Sequence, residues 1–110
     1  MHEGQKKETM KTLMIDDEPE LKAYDKHYDL TQMDVAKTVE EGIEYLQNFD
    51  YDRLLLDYEL GPKKGTEILM WLSDHLDRVP KEIFSISFVG RPVFQNMIQS
   101  LLIEKAKTKT

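Results

Sequence analysis

The chain has 110 residues, 40% of them hydrophobic and 33% charged, and its 15 basic and 21 acidic side chains leave a net charge of −6. That balance describes one folded domain with a modest core, and the acid excess excludes DNA or an anionic membrane as a sequence-blind partner. The absence of cysteine excludes disulfides, thiolate zinc sites and cysteine nucleophiles. No apolar run approaches the roughly 18 residues of a membrane span, and the polar N-terminus has no signal core, so a soluble cytoplasmic protein is expected.

Residues 1–10 read as a flexible polar arm, residues 11–103 as a single domain, and residues 104–110 (EKAKTKT) as a frayed basic tail. Lys11–Ile15 (KTLMI) is a short apolar run bounded by acids, a buried strand. Pro19 suits the first turn of a helix over PELKAYDKHYDL, with Leu21, Ala23, Tyr24 and Tyr28 as its apolar positions. MDVAKT is a thin strand around Val35. Thr38 and Glu41 form a capping box, and Val39, Ile43, Leu46 and Phe49 make one stripe of the helix behind it. RLLLD (Arg53–Asp57) is too short for a helix and reads as a strand. YELGPKKG carries turn chemistry at Gly61, Pro62 and Gly65. TEILMWLSDHL is a helix through Ile68, Leu69, Leu72 and Leu76, and the β-branched and aromatic EIFSISF is a strand. After the turn VGRP, a last helix follows Pro92 with Phe94, Met97, Ile98 and Leu101 at helical spacing.

Strands alternating with helices at this spacing predict an α/β fold: an open parallel sheet of four strands in order 2-1-3-4, flavodoxin-like, with right-handed crossovers. Ligands of such sheets bind beyond the carboxyl ends of the strands, where the order reverses. Asp16, Asp17 and Glu18 lie at the end of the first strand and Asp57 at the end of the third, so the topology brings them together. An isolated DDE would be loop and helix-capping residues; Asp57 at the matching strand end turns it into a candidate half-site. Crowded carboxylates repel unless a cation lies between them, and Mg²⁺ (or Mn²⁺) is a hard ion that takes carboxylate oxygens and draws in a phosphoryl oxygen. Arg91, in a turn ahead of a helix, is either a phosphate clamp or an exposed turn residue. His2, His27 and His75 fall away from the strand ends, the latter two on helices. Trp71 and the six methionines read as core or interface, and Lys63 and Lys64 as solvated loop residues.

LMIDDEP and YDRLLLDYELGPKKG together resemble the receiver domain of bacterial response regulators. The resemblance implies that Asp16, Asp17 and Asp57 hold Mg²⁺ and that Asp57 accepts a phosphoryl group from a histidine kinase or a small phosphate donor. Gly65, eight residues past Asp57, matches the glycine that opens the third receiver helix. Ser87 fits the hydroxyl residue at the end of the fourth strand, followed here by Phe88. The receiver's final Lys-Pro is missing, and its fifth strand and last helix are expected to be missing or degenerate.

FSISFVGRPVFQNM is similar to the receiver-like branch that processes cyclic phosphates, whose pattern there is His-Ser-x-Asn-x-x-Gly-Arg. Ser85, Gly90 and Arg91 match; Phe84 replaces the His and Ser87 the Asn. LDYEL keeps Asp57 but has Tyr58 and Glu59 where that branch favours His and Asp. Three functions follow as expectations: phosphorelay-type signalling through Asp57; a metal-dependent cyclic-phosphate or phosphoester protein using Arg91 on substrate; or a degenerate receiver serving only as a protein-interaction scaffold. One sheet face is expected to be half bare, which calls for a homodimer or another protein partner.

Overall fold

The computed structural model describes residues 10–108, so all but the last residue of the arm expected over residues 1–10 lies outside the described residues. Four strands form a parallel sheet in order β2-β1-β3-β6: β1 (Thr12–Ile15), β2 (Asp34–Ala36), β3 (Arg53–Leu56) and β6 (Glu82–Ser85). Between β3 and β6 in the chain, β4 (Glu59–Leu60) and β5 (Lys63–Lys64) pair as a small antiparallel hairpin. Its turn passes through Gly61 at φ 70°, a left-handed geometry that glycine adopts without strain. The helices are α1 (Pro19–Lys26), α2 (Val39–Asn48), α3 (Thr66–Ser73) and α4 (Pro92–Lys107). The expected four-stranded α/β architecture and its strand order are those observed.

β1 and β3 are central, and their apolar runs are buried because both faces are covered. Met14 pairs with Val35 on one side and Leu55 on the other, and Leu56 pairs with Ser85. The alternation of side chains then divides the core. Leu13, Ile15, Leu54, Leu56 and Ile83 meet α2, α3 and α4 through Leu46, Ile68, Leu72, Phe94 and Ile98. The opposite face is thinner: Met14, Leu55 and Ile86 pack with the half-buried Tyr28, Leu30 and Met33.

Helix ends follow local chemistry. Glu41 N donates to Thr38 Oγ1 at 3.1 Å, and Glu41 Oε1 accepts from Lys37 N at 2.8 Å, a capping box displaced by one residue. α2 buries Val39 and Leu46, but Phe49 lies past its end, exposed under the Lys11 ammonium. α1 departs most from the expected pattern. Leu21 is exposed, Tyr24 is 86% exposed, and the buried positions are Pro19 and Lys22. The helix also stops early, at His27 in a left-handed conformation, with Tyr28 N donating to Ala23 O.

The sequence pattern places His27 and His75 on helices, but neither lies within one: α1 ends at Lys26 and α3 at Ser73. His75 precedes a short 3₁₀ turn (Leu76–Arg78) and stacks on Trp71 at 4.0 Å. α4 runs to Lys107, through most of the stretch assigned to a frayed tail. Lys105 Nζ donates to Leu76 O at 2.9 Å, and basic residues in the last turn suit the negative end of the helix dipole. Among the described residues, no helix is long and apolar enough to cross a membrane.

Candidate metal centre

The sheet ladder continues one residue past the strands. Asp16 N donates to Ala36 O and Asp57 N to Ile15 O, both at 3.0 Å. That register carries the two aspartates out side by side at the carboxyl end of the sheet, where the strand order reverses. Asp16 is 0% exposed and Asp57 5%, while Asp17 faces solvent. One carboxylate oxygen from each of the three lies within 4.8 Å of the others.

Each buried carboxylate oxygen has a donor. Asp16 Oδ1 accepts from Glu18 N at 2.8 Å, which ties the turn into α1 and leaves Glu18 at the helix start. Asp57 Oδ1 accepts from Tyr58 N at 2.9 Å and from Ser87 Oγ at 3.1 Å. Ser87 Oγ in turn accepts from Tyr58 N at 3.0 Å, so the end of β6 is linked to the aspartate. The remaining oxygens converge on one ammonium: Lys22 Nζ lies 2.8 Å from Asp16 Oδ2 and 3.3 Å from Asp57 Oδ2. Lys22 is 4% exposed, and its ammonium sits 4.5 Å from the centre of the Phe88 ring.

Burial is the main influence on Asp16 and pushes its carboxyl above the usual range; the Lys22 and Glu18 hydrogen bonds only partly oppose it. Burial alone would lower Lys22, but Asp16 and then Asp57 outweigh it and hold the ammonium above its ordinary value. Lys22 is therefore a charged partner in a desolvated site rather than a surface lysine.

The donor set fits a hard divalent ion. Oxygens about 2.0–2.1 Å from an octahedral Mg²⁺ lie roughly 3–4 Å from one another, and the three carboxylate oxygens, all within 4.8 Å of one another, are close to that spacing. Asp16, Asp17 and Asp57 are the residues that would hold it.

Gly65 opens α3 directly beneath this centre. Its N donates to Tyr58 O at 2.6 Å, and a Cβ added there would lie 2.2 Å from Asp57 O. A glycine is needed because two backbones touch.

Arg91 is turned elsewhere. Its guanidinium lies 4.2 Å from the Tyr58 ring centre and its Nη2 3.4 Å from Glu59 Oε2. Among the described residues, no hydrogen bond or ion pair joins it to Asp16, Asp17 or Asp57. The loop lysines are also engaged: Lys64 pairs with Glu59 at 2.6 Å, and Lys63 pairs with Glu40. Lys22 is absent from the residues the sequence pattern singles out. Its signal was positional: a lysine closing the first turn of a helix that starts just after the acid pair, with its side chain tilted back toward the helix N-terminus.

The cyclic-phosphate-processing receiver domain family matches residues 11–102. The fold is similar to that of the MaeR response regulator bound to beryllium trifluoride, with a TM-score of 0.62, 16% identity, and coverage of 93% of this chain and 100% of that one. It is also similar to the N-terminal domain of an uncharacterized protein from Wolinella succinogenes, with a TM-score of 0.65, 17% identity, and coverage of 84% and 76%. The response regulator TrrA from Thermotoga maritima, in complex with Mg²⁺ and beryllium fluoride, aligns with a TM-score of 0.53 and 20% identity over 86% of this chain and 100% of its own. No curated protein sequence matches. With its parallel sheet, its strand-end aspartates and a family match across nearly its whole length, the chain belongs to the cyclic-phosphate-processing receiver domain family.

Proposed function

We propose that the chain is a phosphate-handling receiver module, in which Asp57 accepts or holds a phosphoryl group beside Mg²⁺ carried by Asp16, Asp17 and Asp57. The observation that carries this is the treatment of Asp57: a buried carboxylate at a strand end, held on Oδ1 by Tyr58 N and Ser87 Oγ, with Oδ2 turned toward Asp16 and Lys22. When bound, the ion would supply positive charge to the phosphoryl oxygens. Ser87 and the Tyr58 N–H orient the carboxylate. In transfer from acetyl phosphate, an oxygen of Asp57 forms the bond to phosphorus while the donor's P–O bond breaks and acetate leaves with the electron pair.

The family match favours a second reading, binding or hydrolysis of a cyclic phosphate at the same acidic trio. Tyr58 and Phe84 at the two histidine positions, and Arg91 paired with Glu59, weigh against its catalytic form. A pure scaffold would have no use for three converging carboxylates.

Titration of wild type and Asp57→Ala with Mn²⁺ or Mg²⁺ tests the metal, and the absence of saturable binding to wild type removes both readings. Acetyl phosphate then separates them. A labile adduct that Asp57→Ala loses supports transfer to Asp57; turnover of a 2′,3′-cyclic nucleotide without an adduct supports the esterase. Signalling in the cytoplasm would further require a histidine kinase or small donor and a protein contact. The exposed Leu21, Tyr24, Phe84 and Phe88 offer apolar surface for a second copy or another protein. Sedimentation that is monomeric at every concentration would argue against the homodimer.

A further inference from the structure

We propose that Lys22 is a tethered counter-ion that competes with the divalent metal ion for Asp16 and Asp57. The inference rests on the metal-site reading above and adds to it how the site is held and how tightly it can bind. The Lys22 ammonium touches one oxygen of each buried aspartate, at 2.8 and 3.3 Å. An ion using the same two oxygens at about 2.0–2.1 Å would lie close to the position Nζ already holds, and two cations cannot share it. Loading of the site therefore requires Lys22 to withdraw.

The surroundings suit a withdrawal. Lysine has a long flexible stem and a point charge without fixed geometry, unlike the rigid fork of arginine. Its other neighbour is the face of Phe88, a half-exposed ring that attracts the ammonium but does not anchor it by a hydrogen bond. The carboxylates stay behind: Asp16 remains tied to Glu18 N, and Asp57 to Tyr58 N and Ser87. With Lys22 in place, three carboxylates and one ammonium carry a net charge of −2; without it they carry −3. Lys22 thus keeps the metal-free centre neutral enough to stay buried, and every metal ion that enters must displace it.

The test is Mn²⁺ binding followed by the paramagnetic resonance signal of the free ion, on the whole chain. Lys22→Met keeps the stem and removes the charge. It is expected to bind Mn²⁺ roughly tenfold or more tightly than wild type. Lys81→Met, at an exposed lysine 3.8 Å from Asp52, is expected to leave the affinity unchanged. Binding to Lys22→Met that equals or falls below wild type overturns the competition and leaves the metal site standing. No saturable binding to either protein overturns both. Since Lys22→Met leaves two buried carboxylates uncompensated and could impair folding, wild type offers a second measurement. The Lys22 ammonium resonance in a ¹⁵N spectrum is expected to shift as Mg²⁺ is added; an unmoved resonance at saturation overturns the proposal.

Discussion

Among the described glycines, Gly65 is the one at which a substitution by alanine should be most damaging. Gly65 has φ −60° and ψ −21°, ordinary right-handed geometry, so alanine meets no conformational penalty there. The whole effect is steric. The added Cβ would stand 2.2 Å from Asp57 O, 3.2 Å from Asp57 C and 3.0 Å from Phe94 Cζ. Ordinary carbon contacts are about 3.5 Å or more, so the backbone at Gly65 and Asp57 must separate by roughly 1 Å. Backbone held in a ladder cannot swing aside as a side chain can, which puts the cost near the upper end of overpacking, about 3 kcal/mol. At roughly 4–8 °C per kcal/mol for a domain of this size, the melting temperature falls by roughly 12–24 °C. Urea and thermal unfolding followed by circular dichroism measure it. Gly90→Ala is the control: nothing lies within 4 Å of its Cβ, and the change should stay within about 0.5 kcal/mol. Equal stability of the two variants would refute the close approach of α3 to Asp57. A destabilised Gly65→Ala should also bind Mn²⁺ more weakly, since the displaced residue is Asp57 itself.

The Tyr51 hydroxyl donates to Asp34 Oδ2 at 2.5 Å, and burial first, then Asp34, push the phenol far above its usual value of 10.0. A group raised in the folded state stabilises fully below its unfolded value and loses that contribution as pH rises through the folded one. Wild type should therefore lose stability progressively above pH 10, and Tyr51→Phe should lack this component while being weaker by about 1–2 kcal/mol at neutral pH; parallel alkaline profiles of melting temperature would refute the bond. Ser87→Ala removes one donor to Asp57 Oδ1 and should cost about 1 kcal/mol in urea unfolding, with Ser87→Thr closer to wild type. Arg91→Ala should leave Mn²⁺ affinity unchanged because the guanidinium is committed to Tyr58 and Glu59; a severalfold loss would mean that it reaches the aspartates in solution.

The parts that could be read from the sequence share a cause: they are consequences of backbone topology. Alternating apolar runs and amphipathic segments dictate a parallel sheet, and the strand order places Asp16 beside Asp57 whatever their side chains do. Thr38 and Glu41 were legible as a helix start because capping is local. Gly65 was legible by its spacing from Asp57, though only the 2.2 Å approach supplies the reason for it. The parts that could not be read depend on where long side chains go. Helical periodicity assigns apolar residues inward and charges outward, which points to Leu21 and Tyr24 on α1. The helix does the reverse, burying Lys22 and exposing both. Two-residue strands such as β4 and β5 carry too few positions for an alternation to register.

Arg91 shows how the replaced residues act together. Tyr58 and Glu59 stand where the related branch favours His and Asp. In this chain they supply an aromatic face and a carboxylate that hold the Arg91 guanidinium away from the acidic trio. The positive charge at the site comes instead from Lys22 on the first helix, whose ammonium lies 2.8 Å from Asp16 Oδ2 and 3.3 Å from Asp57 Oδ2. A cation delivered from α1 lies against Asp16 as well as Asp57, so it offsets part of the charge of the metal-free centre. The withdrawal proposed for Lys22 would free the Phe88 ring, 4.5 Å from its ammonium, of that contact whenever a metal ion enters.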